Sequence, residues 1–415
     1  MLKLIKQRLV WGLVLMTAVG GWLSNGQTAQ AASSKADEVK AAYVMDAKTG
    51  QVVYAQNADQ QLPIASLSKL MTLYLVERAI ERGQIKWTDT VPIQKNVRKM
   101  ATSATLSVMP MPAKESFTVK ELFAATLVGS SNSGAIALGE YVAGSNAKFI
   151  KLMNQQAAHW HLDASFISAS GLDNTDLTNY NLKLKGTSEQ GQNLVSARAV
   201  TIIAQHLIND YPKVIDVANQ RSVKIHKYTV PTSVEILKGE KSYDPRVPVD
   251  GLKTGYTNQA GACLVATYQQ NGRRMIATTL GGAWQFTANN NLRLMLKTTE
   301  RYQSVVPKEI NYQIPGTTTK VRLVTKRNTT MWANSKQPLT QTKIALWPLH
   351  RTEPNYVAAN TAVLKVRLTD PLSGTTQEVV YRTPEALTML GPLQWATTPA
   401  KRTVTTPTGA YAFAK

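Results

Sequence analysis

Strand-like and helix-like segments follow one another irregularly in this chain of 415 residues, and that irregularity limits its fold more than any other feature. A hairpin is predicted over residues 41–54, and apolar helical patterns then fill much of residues 66–215. Strand patterns return between residues 249 and 280, and a closing helix is predicted over residues 292–302. Because no regular βαβ alternation is present, we expect an α+β fold in which helices pack on an antiparallel sheet.

A short polar turn at residues 129–134 lies between two predicted helices. The helix before it opens with Thr118 and Glu121 at the spacing of a capping box, in which each side chain satisfies a backbone N–H of the other residue. The helix after it covers residues 135–141. A turn held at both ends in this way presents its polar side chains rigidly to a cleft, which suits a catalytic loop.

The composition changes near residue 305, where long helical periodicity ends and threonine, valine and proline become more frequent. The chain is also too long for one ordinary domain. Its content of 43% hydrophobic and 18% charged residues is typical of a folded protein. We therefore predict a first domain over residues 32–305 and a small all-β domain over residues 306–415.

The first 31 residues have the pattern of a signal peptide. Three cations in the first eight residues precede an apolar core at residues 9–19, and small residues at 29–31 offer a cleavage site before Ala32. An uncleaved membrane anchor is the alternative, although the apolar core is short for a membrane span. In both cases we expect the body of the protein to be exported, and to be extracellular or associated with the cell envelope.

The net charge of +21 favours contacts with polyanions. Outside the cytoplasm, anionic wall polymers and lipid headgroups are the partners that we expect, and the sequence carries no nucleic-acid-binding motif. The single cysteine, Cys263, excludes an intrachain disulfide and lies in an apolar run that predicts a buried thiol. His159 and His161 lack the H-E-x-x-H pattern of a zinc site, so no metal or other cofactor is expected.

Three short motifs carry the chemistry: Ser66-x-x-Lys69, Ser130-x-Asn132 and Lys253-Thr254-Gly255. A helix is predicted to open at Ser66 and to stop at Gly83, and the first spacing then places a lysine amine beside a serine hydroxyl. A serine needs a neighbouring base to become nucleophilic, and burial beside a second cation keeps a lysine partly neutral. Each motif is common by itself, but their order within one exported chain predicts a serine acyl-transfer site.

The motifs and their surroundings resemble the low-molecular-mass penicillin-binding D-alanyl-D-alanine carboxypeptidases. The segments that carry the resemblance are 43–50, 65–72 and 250–257, and the likeness extends over residues 38–302. It implies a β-lactamase/transpeptidase-like domain followed by a small β domain. It also implies a serine-type D-Ala-D-Ala carboxypeptidase that removes the terminal D-alanine from peptidoglycan stem peptides through an acyl-enzyme, and that β-lactams acylate.

The resemblance implies a role for each motif residue. Ser66 is the nucleophile, Lys69 is a candidate base for its proton and Ser130 relays a proton to the leaving amine. Which group first removes the proton from Ser66 stays open. Lys253 is expected to contact Ser130 and to attract the terminal carboxylate of the substrate, and the oxyanion hole is assigned to the backbone N–H groups of Ser66 and Tyr256. The residues expected to bind substrate are Asn132, Lys253, Thr254, Gly255 and Tyr256.

Two positions depart from the pattern of many relatives. Tyr256 stands where histidine is frequent, which is compatible with the backbone role of this position. Ala283 stands where some relatives place an arginine that helps to bind carboxylate, so this anchor must come from elsewhere or be weaker.

Three other functions stay open. A class A β-lactamase would need a Glu-x-x-Leu-Asn motif between the second and third motifs, and residues 133–252 contain none. A DD-endopeptidase would use the same motifs. A non-catalytic wall-binding protein would suit the charge and the β domain, but not an intact nucleophile and base.

Residues 385–390 are the nearest candidate for a C-terminal anchoring helix, and Gly391-Pro392 cuts this candidate short. We therefore expect release or loose charge-based retention rather than an anchoring helix.

Overall fold

The structure is a computed structural model that describes residues 38–284, 286–313, 320–334, 338–346, 356–372, 374–388 and 401–404. The predicted signal peptide (1–31) and the Gly391-Pro392 break lie outside these ranges. Within the described ranges, no helix combines the length and the apolar character needed to cross a membrane.

Helices occupy the part of the described chain that ends at residue 299. They are α1 (Lys69–Glu81), α2 (Lys95–Met100), α3 (Val119–Val128), α4 (Asn132–Ala143), α5 (Asn146–His159), α6 (Asn174–Thr178), α7 (Ala197–Asp210), α8 (Val214–Ala218) and α9 (Thr287–Thr299). The capping box predicted before α3 is confirmed. The Thr118 hydroxyl accepts from the Glu121 N–H, and the Glu121 carboxylate accepts from the Thr118 N–H.

The helix predicted to open at Ser66 begins three residues later. A 3₁₀ turn covers Ala65–Ser68, and α1 starts at Lys69. The backbone of Ala65 has a φ of +47°, and the Ser68 hydroxyl donates back to the Ala65 carbonyl at 2.7 Å, so the chain is held in the tighter turn. At its other end α1 stops where the sequence predicts, before Gly83 at a φ of +68°.

Strands form two groups along the chain. The first group is β1 (Ala41–Asp46), β2 (Val52–Gln56), β3 (Leu62–Pro63), β4 (Ala164–Ser165), β5 (Leu194–Val195), β6 (Ser222–Ile225), β7 (Tyr228–Pro231), β8 (Gly251–Thr257), β9 (Gly261–Gln270) and β10 (Arg273–Gly282). The second group is β11 (Glu300–Ser304), β12 (Glu309–Gln313), β13 (Lys320–Val324), β14 (Thr330–Asn334), β15 (Thr340–Ala345), β16 (Tyr356–Val357), β17 (Ala362–Thr369), β18 (Thr376–Arg382), β19 (Leu387–Thr388) and β20 (Lys401–Val404).

A five-stranded antiparallel sheet of order β2-β1-β10-β9-β8 forms the centre of the first part, and β8 is at one of its edges. Val265 on β9 packs into the same core as α7, whereas Leu264 packs with α9 in a second core. Because successive side chains of a strand point to opposite faces, helices cover both faces of this sheet. The predicted α+β arrangement is therefore confirmed.

The second part is all β over its described residues. A six-stranded sheet of order β12-β13-β18-β17-β15-β20 contributes to a separate apolar core, which includes Val363, Val366 and Tyr381. The helix predicted over residues 292–302 is wrong at both ends, because α9 covers Thr287–Thr299 and the chain then enters β11. β11 pairs along its whole length with β14, and this pairing fixes residues 300–304 as a strand.

Candidate active site

The three predicted motifs converge on the space between the helices and the edge strand β8. Ser66 lies in the 3₁₀ turn and is partly exposed, whereas Lys69 is the first residue of α1 and is fully buried. Asn132 is the first residue of α4, and Ser130 precedes it in a strained turn with a φ of +61°. Lys253 lies within β8 and is fully buried.

Lys69 joins the first two motifs through three short contacts of its amine. The Nζ atom lies 2.7 Å from the Ser66 hydroxyl, 2.8 Å from Asn132 Oδ1 and 2.7 Å from the Ser170 carbonyl. A neutral amine has two N–H donors and one lone pair. It therefore fits this site by donating to the two oxygen acceptors of Asn132 and Ser170 while it accepts the proton of Ser66.

The electrostatics favour the neutral form of Lys69. Burial and, next to it, the positive charge of Lys253 hold the pKa of Lys69 well below its usual value. Burial also lowers the pKa of Lys253 to about 7. Because both cations are buried and repel one another, protonation of one opposes protonation of the other.

Lys253 makes a contact that the sequence did not predict. Its Nζ atom lies 3.5 Å from the Ser233 hydroxyl and 3.0 Å from the Thr254 carbonyl, where the sequence led us to expect Ser130. Ser233 thereby becomes a further residue of the site. It lies outside the three motifs, in the stretch between β7 and β8, so motif reasoning gave no signal for it.

Gly255 packs directly against the turn that carries the nucleophile. A Cβ atom at this position would lie 2.7 Å from the Ile64 carbonyl and 3.2 Å from the backbone nitrogens of Ser66 and Leu67. Only glycine allows β8 to approach this closely. The residue after Gly255, Tyr256, is 62% exposed at the mouth of the site, and the residue before it, Thr254, is buried.

A second wall of the site comes from the segment 167–171, which the sequence analysis did not select. Its Ser170 carbonyl accepts from Lys69, and its Ala169 carbonyl accepts from the Thr72 hydroxyl at 2.7 Å. Gly171, at a φ of +80°, lies so close to Ala65 that a Cβ atom would be 1.9 Å from the Ala65 carbonyl oxygen. A glycine after a run of small residues was the only sequence signal for this packing.

Two other predictions concern the surroundings of the site. Cys263 is buried on β9 opposite Gly255, and burial raises the pKa of its thiol to about 11, so the predicted buried thiol is confirmed. Among the described residues, no group of three or more histidine, cysteine, aspartate or glutamate side chains is arranged to hold a metal ion.

Comparison with known proteins gives a consistent picture. The sequence profile of the family described as D-alanyl-D-alanine carboxypeptidase matches residues 27–283. The D-alanyl-D-alanine carboxypeptidase DacF of Bacillus subtilis is 28% identical over 302 residues, which are 71% of this chain and 70% of DacF.

Two solved structures extend the likeness to the fold. A peptidoglycan synthesis regulatory factor (PBP3) from Streptococcus pneumoniae has a TM-score of 0.65 at 29% identity, over 83% of this chain and 98% of that protein. Penicillin-binding protein D2 from Listeria monocytogenes, in its cefotaxime-bound form, has a TM-score of 0.51 at 28% identity, over 62% of this chain and 95% of that protein. The predicted β-lactamase/transpeptidase-like fold is therefore confirmed.

Proposed function

The chain belongs to the D-alanyl-D-alanine carboxypeptidase family, and from that premise we propose that Ser66 is the nucleophile with which it removes the terminal D-alanine from peptidoglycan stem peptides. The observation that carries the proposal is the 2.7 Å contact between the Ser66 hydroxyl and the buried amine of Lys69. The lowered pKa of that amine supports its role as a base near neutral pH. Ser66 is partly exposed, so a substrate carbonyl can reach it.

Acylation begins when Ser66 Oγ attacks the carbonyl carbon of the penultimate D-alanine and its proton passes to Lys69 Nζ. The backbone N–H groups of Ser66 and Tyr256 stabilise the oxyanion. The C–N bond then breaks, and the Ser130 hydroxyl gives its proton to the leaving amine and regains one from Lys69. Water hydrolyses the ester in the second half of the reaction, which releases the shortened peptide and restores the Ser66 hydroxyl.

Substrate binding is assigned to the edge strand and to the polar residues beside it. An edge strand has backbone N–H and C=O groups available to an extended peptide, and Gly255 brings β8 close to Ser66. The ammonium of Lys253 and the Thr254 hydroxyl attract the terminal carboxylate of the substrate. Asn132 orients Lys69 through its side-chain oxygen, which leaves its NH₂ group to bind a substrate amide.

Location and further partners follow from the family and the charge. Members of this family are cell-wall peptidases, which agrees with the export signal that we propose for residues 1–31. The net charge of +21 supports binding to anionic wall polymers or lipid headgroups. If charge holds the protein at the envelope, rising salt should release it from a membrane and wall fraction. Release by detergent alone would contradict this mode of retention.

Fluorescent penicillin tests the nucleophile. We expect stoichiometric covalent labelling of the intact protein and its loss in Ser66→Ala, with Ser222→Ala as the matched control because Ser222 is an exposed serine on β6. A folded protein that never labels would contradict the proposal.

Product analysis tests the reaction. Mass spectrometry of a synthetic pentapeptide stem should show the loss of one D-alanine. Cleavage of cross-linked stems in preference to the pentapeptide would favour endopeptidase activity instead, and rapid turnover of the penicillin adduct would favour a β-lactamase.

A further inference from the structure

Asn193 is a buried residue, 2% exposed, whose side-chain amide makes four hydrogen bonds within the protein. Its Nδ2 group donates to the Ser68 hydroxyl at 2.7 Å and to the Ser168 carbonyl at 2.8 Å. Its Oδ1 atom accepts from the backbone N–H groups of Ile167 at 2.7 Å and Ser168 at 3.0 Å. Two donors and two lone pairs are all that an amide offers, so its orientation is fixed.

One branch of this network leads to the nucleophile. The Ser68 hydroxyl, which accepts from Asn193, donates to the Ala65 carbonyl at 2.7 Å. Ala65 immediately precedes Ser66 and has a φ of +47°, a conformation that non-glycine residues keep only when their surroundings enforce it. The bonded chain from Asn193 through Ser68 is therefore part of what holds Ser66 in place.

The other branch leads to the base. Asn193 fixes the backbone at Ser168, whose hydroxyl accepts from the N–H groups of Ser170 at 3.2 Å and Gly171 at 3.1 Å. The Ser170 carbonyl then accepts from Lys69 at 2.7 Å. One amide thus reaches both partners of the proton transfer through separate sets of bonds.

The position of Asn193 in the fold allows it to contact two separate segments of the site. It immediately precedes β5, which pairs with β3 on one side and with β4 on the other. β3 leads into the turn that holds Ser66, and β4 leads into the segment 167–171. Asn193 therefore lies where the two walls of the site are joined.

We propose that Asn193 is a positioning residue for acyl transfer, which sets the distance between the Ser66 hydroxyl and the Lys69 amine. This inference rests on the proposed function of Ser66. All four hydrogen bonds of the Asn193 side chain are to the protein, so it acts through Ser68 and Ser168 rather than on the substrate. Its loss lowers the rate of the covalent step and leaves non-covalent binding unchanged.

The test is stopped-flow acylation of Asn193→Ala by fluorescent penicillin, analysed for the dissociation constant of the initial complex and for the acylation rate constant. A misplacement of about 1 Å in a reacting group costs on the order of 100-fold in rate, so we expect a loss of about that size with an unchanged dissociation constant. Circular dichroism and thermal unfolding of each variant record whether it is folded.

Asn154→Ala is the matched control. The Asn154 side chain clamps the same loop from α5, since it donates to the Phe166 carbonyl at 2.7 Å and accepts from the Phe166 N–H at 2.8 Å. Its third hydrogen bond is to the Ile150 carbonyl within α5 at 3.0 Å, so these bonds do not reach the turn of Ser66 or the segment that binds Lys69. We expect this variant to lose stability as Asn193→Ala does, but to keep an acylation rate within about threefold of the wild type, because its bonds fix only Phe166 and Ile150.

A folded Asn193→Ala variant that acylates within threefold of the wild type overturns the inference, and so does an equal slowing in Asn154→Ala. If Asn193→Ala does not fold, Ser68→Ala decides, because it removes the bonds of the Ser68 hydroxyl to Ala65 and Asn193 and leaves the bonds of Asn193 to Ile167 and Ser168 in place. We expect Ser68→Ala to acylate about tenfold more slowly, and a normal rate overturns the inference. A wild-type protein that is not acylated contradicts the proposed function instead, so the two failures are distinguishable.

Discussion

Lys253 is a single residue of the site whose buried charge lowers the stability of the folded protein. Its ammonium is fully buried, and burial lowers its pKa to about 7 from the 10.5 of an exposed lysine. Between these two pH values the unfolded state binds a proton that the folded state has lost, so the free energy of unfolding rises with pH across this window. Below pH 7 the full cost of burying the charge is present.

Lys253→Met should therefore stabilise the protein while it abolishes activity. We expect the free energy of unfolding to rise on the order of a few kcal/mol at pH 6, and the gain to shrink as the pH approaches 10.5. Urea unfolding at pH 6 and pH 9 measures the difference, with Lys224→Met as the control at an exposed lysine on β6. A variant no more stable than the wild type at pH 6 would show that the burial of this charge is compensated.

The residue scale is also where the sequence was most and least informative. The pairing of Ser66 with Lys69 could be predicted because Lys69 follows Ser66 by three residues, about one turn. Asn193 and Ser170 could not, since they lie more than 100 residues from Lys69 in the chain and enter the site by loop geometry. Three of the four bonds of Asn193 are to backbone groups, and Ser170 takes part through its own backbone carbonyl, which has no signature in the sequence.

At the scale of elements, the approach of β8 to the 3₁₀ turn decides the geometry. Gly255→Ala would place a Cβ atom 2.7 Å from the Ile64 carbonyl, so β8 must move away from the backbone N–H of Ser66. We expect the acylation rate constant to fall about 100-fold. Gly282→Ala is the control, because its nearest contacts would be at an ordinary 3.4 Å, and we expect its rate to stay within about threefold of the wild type. Normal acylation of Gly255→Ala by fluorescent penicillin would mean that this approach is not needed.

The capping box of α3 supports a smaller prediction. The Thr118 hydroxyl satisfies the N–H of Glu121 at the start of the helix that leads to Ser130. Thr118→Ala should cost about 1 kcal/mol of stability in a denaturant titration, because one helix N–H loses its partner. Acylation should not change, since the turn that follows α3 is held separately by the hydrogen bond from the Asn132 N–H to the Ser107 carbonyl at 2.8 Å. A slower acylation would show that strain passes along the helix.

Elements with strong end signals were the ones that the sequence predicted best. The capping box at Thr118 and the glycine stop at Gly83 both lie where the sequence placed them. The closing helix was misplaced because residues 300–304 have no local signal that separates a last helical turn from a strand. Their conformation is decided by pairing with β14, some thirty residues away, and a single sequence does not show this partner.

At the scale of the whole molecule, Trp332 connects the second part of the chain to the central sheet. It is 2% exposed and packs in the core that Leu264 shares with α9, where its indole N–H donates to the Asp46 carboxylate at 2.9 Å. Its backbone N–H and C=O both bond to the Gln51 side chain at 2.8 Å. Asp46 also pairs with Arg273, so a buried polar cluster surrounds the tryptophan. We propose a division into residues 32–305 and 306–415. These contacts of Trp332 join the two parts and would have to break for the parts to separate.

Trp332→Ala should uncouple the two parts without stopping the chemistry. We expect a loss of about 3–5 kcal/mol, the usual cost of truncating a buried tryptophan. Thermal unfolding should then split into two transitions, because each part keeps its own apolar core. By strand register Asp46 lies about 20 Å from Gly255, three strands across and some five residues along the sheet, so acylation at 25 °C should stay within about threefold of the wild type.

Calorimetry of the penicillin-labelled variant measures the uncoupling, since the label stabilises only the part that contains Ser66. Trp284→Ala is the control for stability, because Trp284 is 64% exposed and its truncation should hardly change the transition temperature. A single transition in Trp332→Ala would contradict the division at residue 305. An unchanged transition temperature would contradict the connecting role of Trp332 itself. Two transitions, only the higher of which responds to the label, would mean that the part that contains Ser66 stays folded after the β-rich part has unfolded.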